Sequence, residues 1–207
     1  LFRSQKNVCI KVADSSGSRG IRIISANKSK ADIFLHEKPS SLFVTLGEMI
    51  SIINECAKRK KLPDLFAMEA MPGCEYTVDL LADKGKVLCF AGRRNTVSSM
   101  SIAQESIVEE QPGAFRLCEQ IVSLLELDGN LGFDFMMNAK DEPVFTDLNP
   151  RITATIVLYA AAGVNFPYLR VKQLLNEELP VVKAKTGVSL IRKYNDVLVG
   201  REGNVIE

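Results

Sequence analysis

The chain carries the sequence GFDFMM at residues 132–137, followed by FTDLNPR at residues 145–151. Successive side chains of a strand point to opposite faces, so Asp134 lies on the face opposite both neighbouring phenylalanines. Asp147 and Asn149 are two residues apart and share a face of the next strand. If the polar turn at 138–142 makes the two strands a hairpin, three oxygen donors converge on one side. Such donors suit a Mg²⁺ ion that also holds phosphate oxygens, whereas the alternative is that these aspartates only form turns.

The sequence on either side of this hairpin predicts an α+β fold. Apolar residues flanking a Ser/Gly cluster predict strands at 7–12 and 21–24, and helical spacing after Thr45 predicts a helix with Thr45 as its N-cap. Strands at 66–71, 75–82 and 86–92 are predicted to form an antiparallel meander, with a domain boundary near Leu65. The remaining predicted elements are a helix opening at Pro112-Gly113, strands at 131–137 and 143–148, a buried helix from Ile152, a helix at 166–175 and a strand at 188–193.

Composition excludes several classes of function. With 207 residues, 46% of them hydrophobic, the chain can bury a substantial core. The 26 basic and 25 acidic residues give no overall charge that would attract a nucleic acid or a membrane surface. The apolar stretch 152–164 is shorter than the roughly 20 residues of a membrane-spanning helix. Five cysteines without a CxxC pair, and a single histidine, argue against a zinc site and a disulfide framework, so a cytoplasmic location is expected.

Two further clusters suggest a nucleotide. Lys11 precedes a loop of small residues, 14–20, whose backbone N–H groups could surround a phosphate while the lysine adds a positive charge. The alternative is a solvent-exposed hairpin loop, and neither a Walker pattern nor GxGxxG is present. Residues 68–76, MEAMPGCEY, form an extended segment whose backbone could contact an adenine edge, with an acidic side chain for ribose hydroxyls. Here the alternative is a β-turn between surface strands. Arg151 could clamp an anion through two hydrogen bonds.

In this order the clusters resemble the ATP-grasp superfamily, and most of all the carbamoyl-phosphate synthase large subunit and its biotin carboxylase-like relatives. The resemblance is carried by the lysine and loop at 11–20, ExxPGxEYTVD at 69–79, Arg93-Arg94, GFDF at 132–135, DLNPR at 147–151 and AGVNFP at 162–167. It implies two α+β lobes whose antiparallel sheets sandwich the nucleotide. Residues 1–65 would be a partial small lobe with the phosphate-binding hairpin. Residues 66–207 would be the large lobe with the hinge, metal and phosphate-transfer residues.

The resemblance also implies a role for each matching residue. Lys11 would contact the ATP phosphates under a flap formed by Ser16, Gly17, Ser18, Arg19 and Gly20. Glu69 and Met71 would meet adenine, and Glu75 would hold the ribose. Asp134, Asp147 and Asn149 would bind Mg²⁺ or Mn²⁺. Arg151 would stabilise the transferring phosphoryl group, and Arg94 would face substrate or phosphate, with Arg93 as the alternative.

The function implied by the resemblance is a ligase reaction. ATP phosphorylates bicarbonate, carbamate or an amino acid, and an amine attacks the acyl phosphate. Such a transfer needs positioning and charge neutralisation, so no side-chain nucleophile is expected. The expected partners are small carboxylates and amines, and a second copy of the chain or another ligase subunit. The chain starts without Met and lacks the preceding domain of that family, so a truncated protein is expected. An inactive or partial nucleotide-binding fragment with a structural role is the alternative.

Overall fold

The computed structural model describes residues 6–15, 19–99, 102–203 and 205. The chain divides into two compact units, Leu1–Pro72 and Gly73–Glu207. No helix within the described ranges is long and apolar enough to cross a membrane.

The first unit is built on a four-stranded sheet in the order β3-β2-β1-β4, in which β2 and β3 are parallel and the other pairs are antiparallel. Its core joins Met49 to Val8, Ile10 and Ile24. The elements are β1 (Val8–Val12), β2 (Ile21–Ile24), α1 (Lys30–His36), β3 (Phe43–Val44), α2 (Leu46–Lys58) and β4 (Leu65–Glu69).

Helix α2 begins where the sequence predicts. Thr45 is its N-cap, and its hydroxyl accepts a hydrogen bond from the backbone N–H of Glu48 at 3.3 Å. The Glu48 carboxylate accepts the backbone N–H of Thr45 in return at 3.0 Å. This reciprocal pair satisfies two backbone donors that the first turn of a helix otherwise leaves without partners.

The predicted meander is wrong at its first turn. Strand β4 pairs with β1 through the register Val8 to Glu69, so Pro72-Gly73 connects two sheets and not two neighbouring strands. This pairing also carries β4 into the first unit, and the units divide after Pro72 instead of near Leu65. The residues of the turn do not indicate which distant strand will pair with β4.

The second unit contains an antiparallel six-stranded sheet in the order β10-β7-β6-β5-β8-β9. The expected hairpin of β8 and β9 is confirmed. The elements are β5 (Glu75–Asp83), β6 (Lys86–Ser99), β7 (Ile102–Val108), α3 (Pro112–Leu124), β8 (Gly129–Met137), β9 (Pro143–Asn149), α4 (Val157–Ala161), α5 (Phe166–Leu174) and β10 (Ser189–Ile191).

Two elements of this unit differ from the prediction. The helix expected from Ile152 starts only at Val157, because the β-branched residues before it form tight turns such as Ile156 N–H to Thr153 O at 3.3 Å. Strand β7 was not predicted, because Gln104, Glu105 and Ser106 interrupt its apolar alternation.

The two faces of the larger sheet are covered differently. Helix α3 packs on one face against side chains that include Tyr76, Val78 and Phe133. Helices α4 and α5 pack on the other face, around Leu81 and Ala91. The remainder of this second face is polar, and it holds Glu75 and the three predicted metal ligands, Asp134, Asp147 and Asn149.

Candidate functional site

The polar face is the part of the six-stranded sheet that α4 and α5 leave to hydrophilic side chains. Strand register sets its composition: Thr77 pairs with both Arg93 and Asp134, and Asp134 pairs with Asp147. Side chains on paired positions share a face, so the register brings groups from five strands together. The members of the polar face are Glu75, Thr77, Asp79, Arg93, Asn95, Ser106, Asp134, Asp147 and Asn149.

Asp134 occupies the centre of the polar face. Its Oδ1 accepts a hydrogen bond from the Thr77 hydroxyl at 2.9 Å, and its Oδ2 accepts one from Asn149 Nδ2 at 2.8 Å. Burial, and to a lesser extent the charge of Glu75, raise the pKa of Asp134 to about 6. At neutral pH the polar face therefore carries closely spaced negative charge, which a bound cation would offset.

Asn149 links this carboxylate to an exposed arginine. Arg151 donates from Nη2 to Asn149 Oδ1 at 3.0 Å and from Nη1 to the Ile152 carbonyl at 3.2 Å. Asp147, also exposed, accepts the backbone N–H of Leu148 at 3.1 Å. The structure thus brings the three predicted metal ligands and Arg151 to the same end of the hairpin.

Arg94 is not part of this arrangement. It pairs with Tyr76 and so lies on the opposite face of the sheet, where its guanidinium contacts the carboxylates of Glu109 at 2.8 Å and Asp141 at 2.9 Å and the thiol of Cys74 at 3.1 Å. The hydrogen bonds that it donates to the two carboxylates raise its pKa above the ordinary value. The structure therefore does not bring Arg94 to the polar face, and its charge is paired with two carboxylates on the opposite face.

Arg93, the alternative, does lie on the polar face, but it is only 4% exposed. Its Nη1 forms an ion pair with Asp79 and donates to the Tyr159 hydroxyl at 2.9 Å. The positive charge of Arg93 is thereby neutralised by Asp79 inside the fold. Of the three arginines considered from the sequence, Arg151 alone is exposed beside the acidic groups.

Sequence reasoning missed the amide and hydroxyl groups that connect the carboxylates. Asn95 contacts Glu75, Thr77, Arg93 and Ser106 through its single side chain. A signal was present in β5, where Glu75, Thr77 and Asp79 repeat at every second position of an otherwise apolar strand. Such a polar stripe predicts that this face of the strand does not pack into the hydrophobic core.

The nucleotide-binding residues predicted in the first unit stand on separate elements. Lys11 lies on β1 opposite Phe66 of β4, and Glu69 forms an ion pair with Lys6 at 2.8 Å. Gly20 adopts a φ of 72°, which favours glycine, and its carbonyl accepts the Val12 N–H at 3.2 Å. Met71 follows β4 and Arg19 precedes β2. The predicted flap residues Ser16, Gly17 and Ser18 lie outside the described residues.

The donor set of the polar face fits a hard divalent cation. Within the described ranges, no group of three or more His, Cys, Asp or Glu side chains is placed to hold a metal. The predicted set instead combines two carboxylates with an amide. Each Asp134 oxygen accepts one hydrogen bond and keeps a second acceptor site. Oxygen donors of this kind, together with phosphate oxygens, are what Mg²⁺ prefers.

The family of the chain follows from its sequence as a whole. A family model described as ATP-grasp in the biosynthetic pathway with Ter operon matches residues 61–196. The chain belongs to this ATP-grasp family. The match includes the polar face and β4. No curated protein matches the sequence.

Solved structures confirm the ATP-grasp fold. The biotin carboxylase domain of the 2-oxoglutarate carboxylase of Hydrogenobacter thermophilus superposes with a TM-score of 0.60 at 16% identity, covering 88% of this chain and 40% of that one. The biotin carboxylase of Campylobacter jejuni gives 0.61 at 15%, covering 86% and 39%. The L-amino acid ligase of Bacillus licheniformis gives 0.53 at 14%, covering 82% and 39%. The chain therefore spans about 40% of the length of these ATP-grasp proteins.

Proposed function

We propose that this ATP-grasp chain binds Mg-ATP and takes part in a carbon–nitrogen ligase reaction, in which a carboxylate is activated as an acyl phosphate and attacked by an amine. The observation that carries the proposal is the hydrogen-bonded series Asp134, Asn149 and Arg151 at the end of one hairpin. Phosphoryl transfer needs a metal site and a positive charge side by side, and in this proposal the series would supply both.

In this proposal Asp134, Asp147 and Asn149 hold Mg²⁺, or Mn²⁺ in its place. The cation would neutralise charge on the phosphates and orient them. Glu75 would accept hydrogen bonds from ribose hydroxyls. Lys11, the 16–20 loop, Glu69 and Met71 keep the nucleotide-binding roles that the family resemblance implies.

Arg151 is assigned to the transferring phosphoryl group and the acyl phosphate. Its guanidinium is exposed and its two hydrogen bonds go to neutral oxygens, so no carboxylate among the described residues cancels its charge. A planar guanidinium can donate two parallel hydrogen bonds to phosphate oxygens. We do not assign a catalytic role to Arg94, whose two carboxylate partners already match its geometry.

The substrate we propose is a small carboxylate, with bicarbonate or carbamate in a carbamoyl-phosphate synthase-like reaction and an amino acid as the other candidates. The Hydrogenobacter structure contains MgADP and bicarbonate. The Bacillus enzyme is an L-amino acid ligase. Ligases of the same fold thus take either class of carboxylate. We also propose that the chain associates with a second copy of itself or with another ligase subunit.

Product analysis of γ-labelled and α-labelled ATP with the full-length protein tests the reaction class. The proposal expects ADP and phosphate as products, and turnover that requires bicarbonate or another added carboxylate. AMP and pyrophosphate as the main products would refute it. ATP binding without turnover under every condition would favour the nucleotide-binding fragment.

Arg151→Ala tests the assignment of the arginine. If its charge acts mainly in the transition state, kcat should fall by about 100-fold or more while the KM for ATP changes much less. Arg59→Ala is the matched control, because Arg59 is an exposed arginine at the end of α2 that pairs with Glu55. Equal turnover in the two variants would exclude Arg151 from the reaction.

A further inference from the structure

Asn95 lies at the centre of a hydrogen-bond network that the proposed function does not use. The side chain is only 4% exposed, yet every hydrogen-bonding position of its amide is filled. Oδ1 accepts from Arg93 Nε at 3.2 Å and from the Ser106 hydroxyl at 2.8 Å. Nδ2 donates to Glu75 Oε2 at 3.2 Å and to the Thr77 hydroxyl at 3.2 Å.

The direction of each hydrogen bond in this network is fixed by Arg93. A guanidinium only donates, so the Asn95 oxygen must face it and the Asn95 NH₂ must face Glu75 and Thr77. The Thr77 oxygen then accepts from Asn95, which leaves its own proton for Asp134 Oδ1 at 2.9 Å. Asn95 thereby fixes one donor to each carboxylate, its own Nδ2 for Glu75 and the Thr77 hydroxyl for Asp134. Each carboxylate accepts a second hydrogen bond, Glu75 Oε2 from the Ser98 hydroxyl at 3.1 Å and Asp134 Oδ2 from Asn149 at 2.8 Å.

Arg93 is itself held in place by groups from two other elements. It forms an ion pair with Asp79 of β5 and donates to Tyr159 of α4. The Tyr159 hydroxyl donates onward to the Thr77 carbonyl at 3.3 Å. Arg93 and its partners therefore form the buried end of the network. The carboxylates of Glu75 and Asp134 form its other end, at the candidate site.

We propose that Asn95 and Thr77 are positioning residues that set the orientation of Glu75 and Asp134 for the nucleotide and its metal. The inference rests on the proposed Mg-ATP site. The network holds Asp134 Oδ1 and Glu75 Oε2, and the acceptor positions that these hydrogen bonds leave would be available to the nucleotide and its metal. Without these donors the two negative side chains would repel each other and turn to other partners.

Thr77→Val and Thr77→Ser in the full-length protein separate positioning from packing. Valine keeps the shape of threonine and removes the hydroxyl, whereas serine keeps the hydroxyl. We expect Thr77→Val to weaken the binding of Mn²⁺ in the presence of ADP by about tenfold or more, because a hydrogen bond to a charged group contributes about 1.5–3 kcal/mol. Thr77→Ser should stay within about threefold of the wild type on the same grounds. The electron paramagnetic resonance signal of free Mn²⁺ measures this affinity.

Thr96→Val is the matched control, because Thr96 is an exposed residue of β6 whose hydroxyl donates to the Glu105 carbonyl at 3.3 Å. Asn95→Asp provides a second variant of nearly equal shape, in which an acceptor replaces the NH₂ that faces Glu75. It should weaken both the Mn²⁺ affinity and the affinity for ADP. Thermal unfolding of each variant without ligand checks that the fold is retained.

The outcomes distinguish this inference from the proposed function. A wild-type protein that binds neither ADP nor Mn²⁺ with ADP would refute the proposed site and the inference with it. A wild type that binds, with Thr77→Val indistinguishable from Thr96→Val, would refute the positioning role alone. The positioning role would also be refuted if Thr77→Ser loses as much affinity as Thr77→Val, since the hydroxyl would then not be the cause.

Discussion

Asp134 shows how burial and charge oppose each other at a single residue. Its carboxylate is partly buried, accepts hydrogen bonds from Thr77 and Asn149, and faces the charge of Glu75. Two hydrogen bonds do not offset these penalties, because the pKa of Asp134 still rises to about 6. Ionisation of Asp134 is therefore less favourable in the metal-free folded protein than in the unfolded chain.

Asp134→Asn should consequently change stability in a pH-dependent way. The folded-state pKa of about 6 exceeds the ordinary value of 3.8, so the stability that Asp134 contributes is fully present below about pH 4 and is lost as the pH rises through 6. Relative to the wild type, the variant should gain on the order of 2–3 kcal/mol in unfolding free energy between pH 4 and pH 7.5. Urea unfolding of both proteins in a chelator measures the difference. A difference in unfolding free energy between the two proteins that stays constant with pH would contradict the raised pKa of Asp134.

For individual residues, the sequence located the predicted metal ligands and Arg151 better than the amide and hydroxyl side chains that connect the carboxylates. Alternation along a strand placed Asp134, Asp147 and Asn149 on one face, because a period of two is a local property. The choice between Arg93 and Arg94 depends on the register with β5, which no local pattern specifies. Asn95 and Thr77 were missed for the same reason, since their function arises only when three strands pair.

Among the elements, β5 and β6 are packed tightly at Gly92, which lies against the Tyr76 hydroxyl. The Tyr76 hydroxyl passes over this glycine to donate to the Glu109 carbonyl at 2.6 Å. A Cβ at position 92 would overlap that hydroxyl and lie 2.9 Å from the same carbonyl oxygen. Glycine is therefore required here by space, and not by an unusual backbone angle.

Gly92→Ala should destabilise the second unit. The added methyl would displace Tyr76, costing about 1–3 kcal/mol for overpacking and about 1 kcal/mol more for the lost hydrogen bond. Gly47→Ala in α2 is the matched control, because nothing lies within 4 Å of the added Cβ. It should be neutral or stabilising by up to about 1 kcal/mol. Chemical denaturation compares the two, and an equal effect of both substitutions would contradict this account of Gly92.

Elements with a strong local signal were predicted well, and their partners were not. Thr45 and Glu48 mark the start of α2, and Pro112-Gly113 marks the start of α3, because capping is decided within one turn. The partner of β4 is set by a strand more than fifty residues earlier in the chain. Strand β7 was missed because its apolar pattern is diluted, although pairing with β6 and β10 holds it in the sheet.

At the scale of the whole molecule, the polar face is built from β5 to β9 and lies wholly within the second unit. The three predicted metal ligands thus lie on one sheet, and Arg151 lies two residues beyond the end of β9. The residues expected to contact phosphate, Lys11 and the loop after it, belong to the first unit. Ligand binding is therefore best tested on the intact chain, with variants that change only the second unit.

Mg-ATP should raise the unfolding temperature of the intact chain. A ligand that binds only the folded state stabilises it by about 2.7 kcal/mol at a hundredfold excess over Kd, which corresponds to roughly 5–10 °C for a protein of this size. EDTA should remove most of the shift if the cation is bound through Asp134, Asp147 and Asn149. Asp147→Asn should also reduce it, with little change in the ligand-free unfolding temperature, because substitutions of exposed side chains typically alter stability by less than about 0.5 kcal/mol. Asp83→Asn, an exposed aspartate at the far end of β5, is the control and should keep the full shift. A shift that survives both EDTA and Asp147→Asn would place the nucleotide elsewhere, because neither change leaves the metal set of the polar face intact.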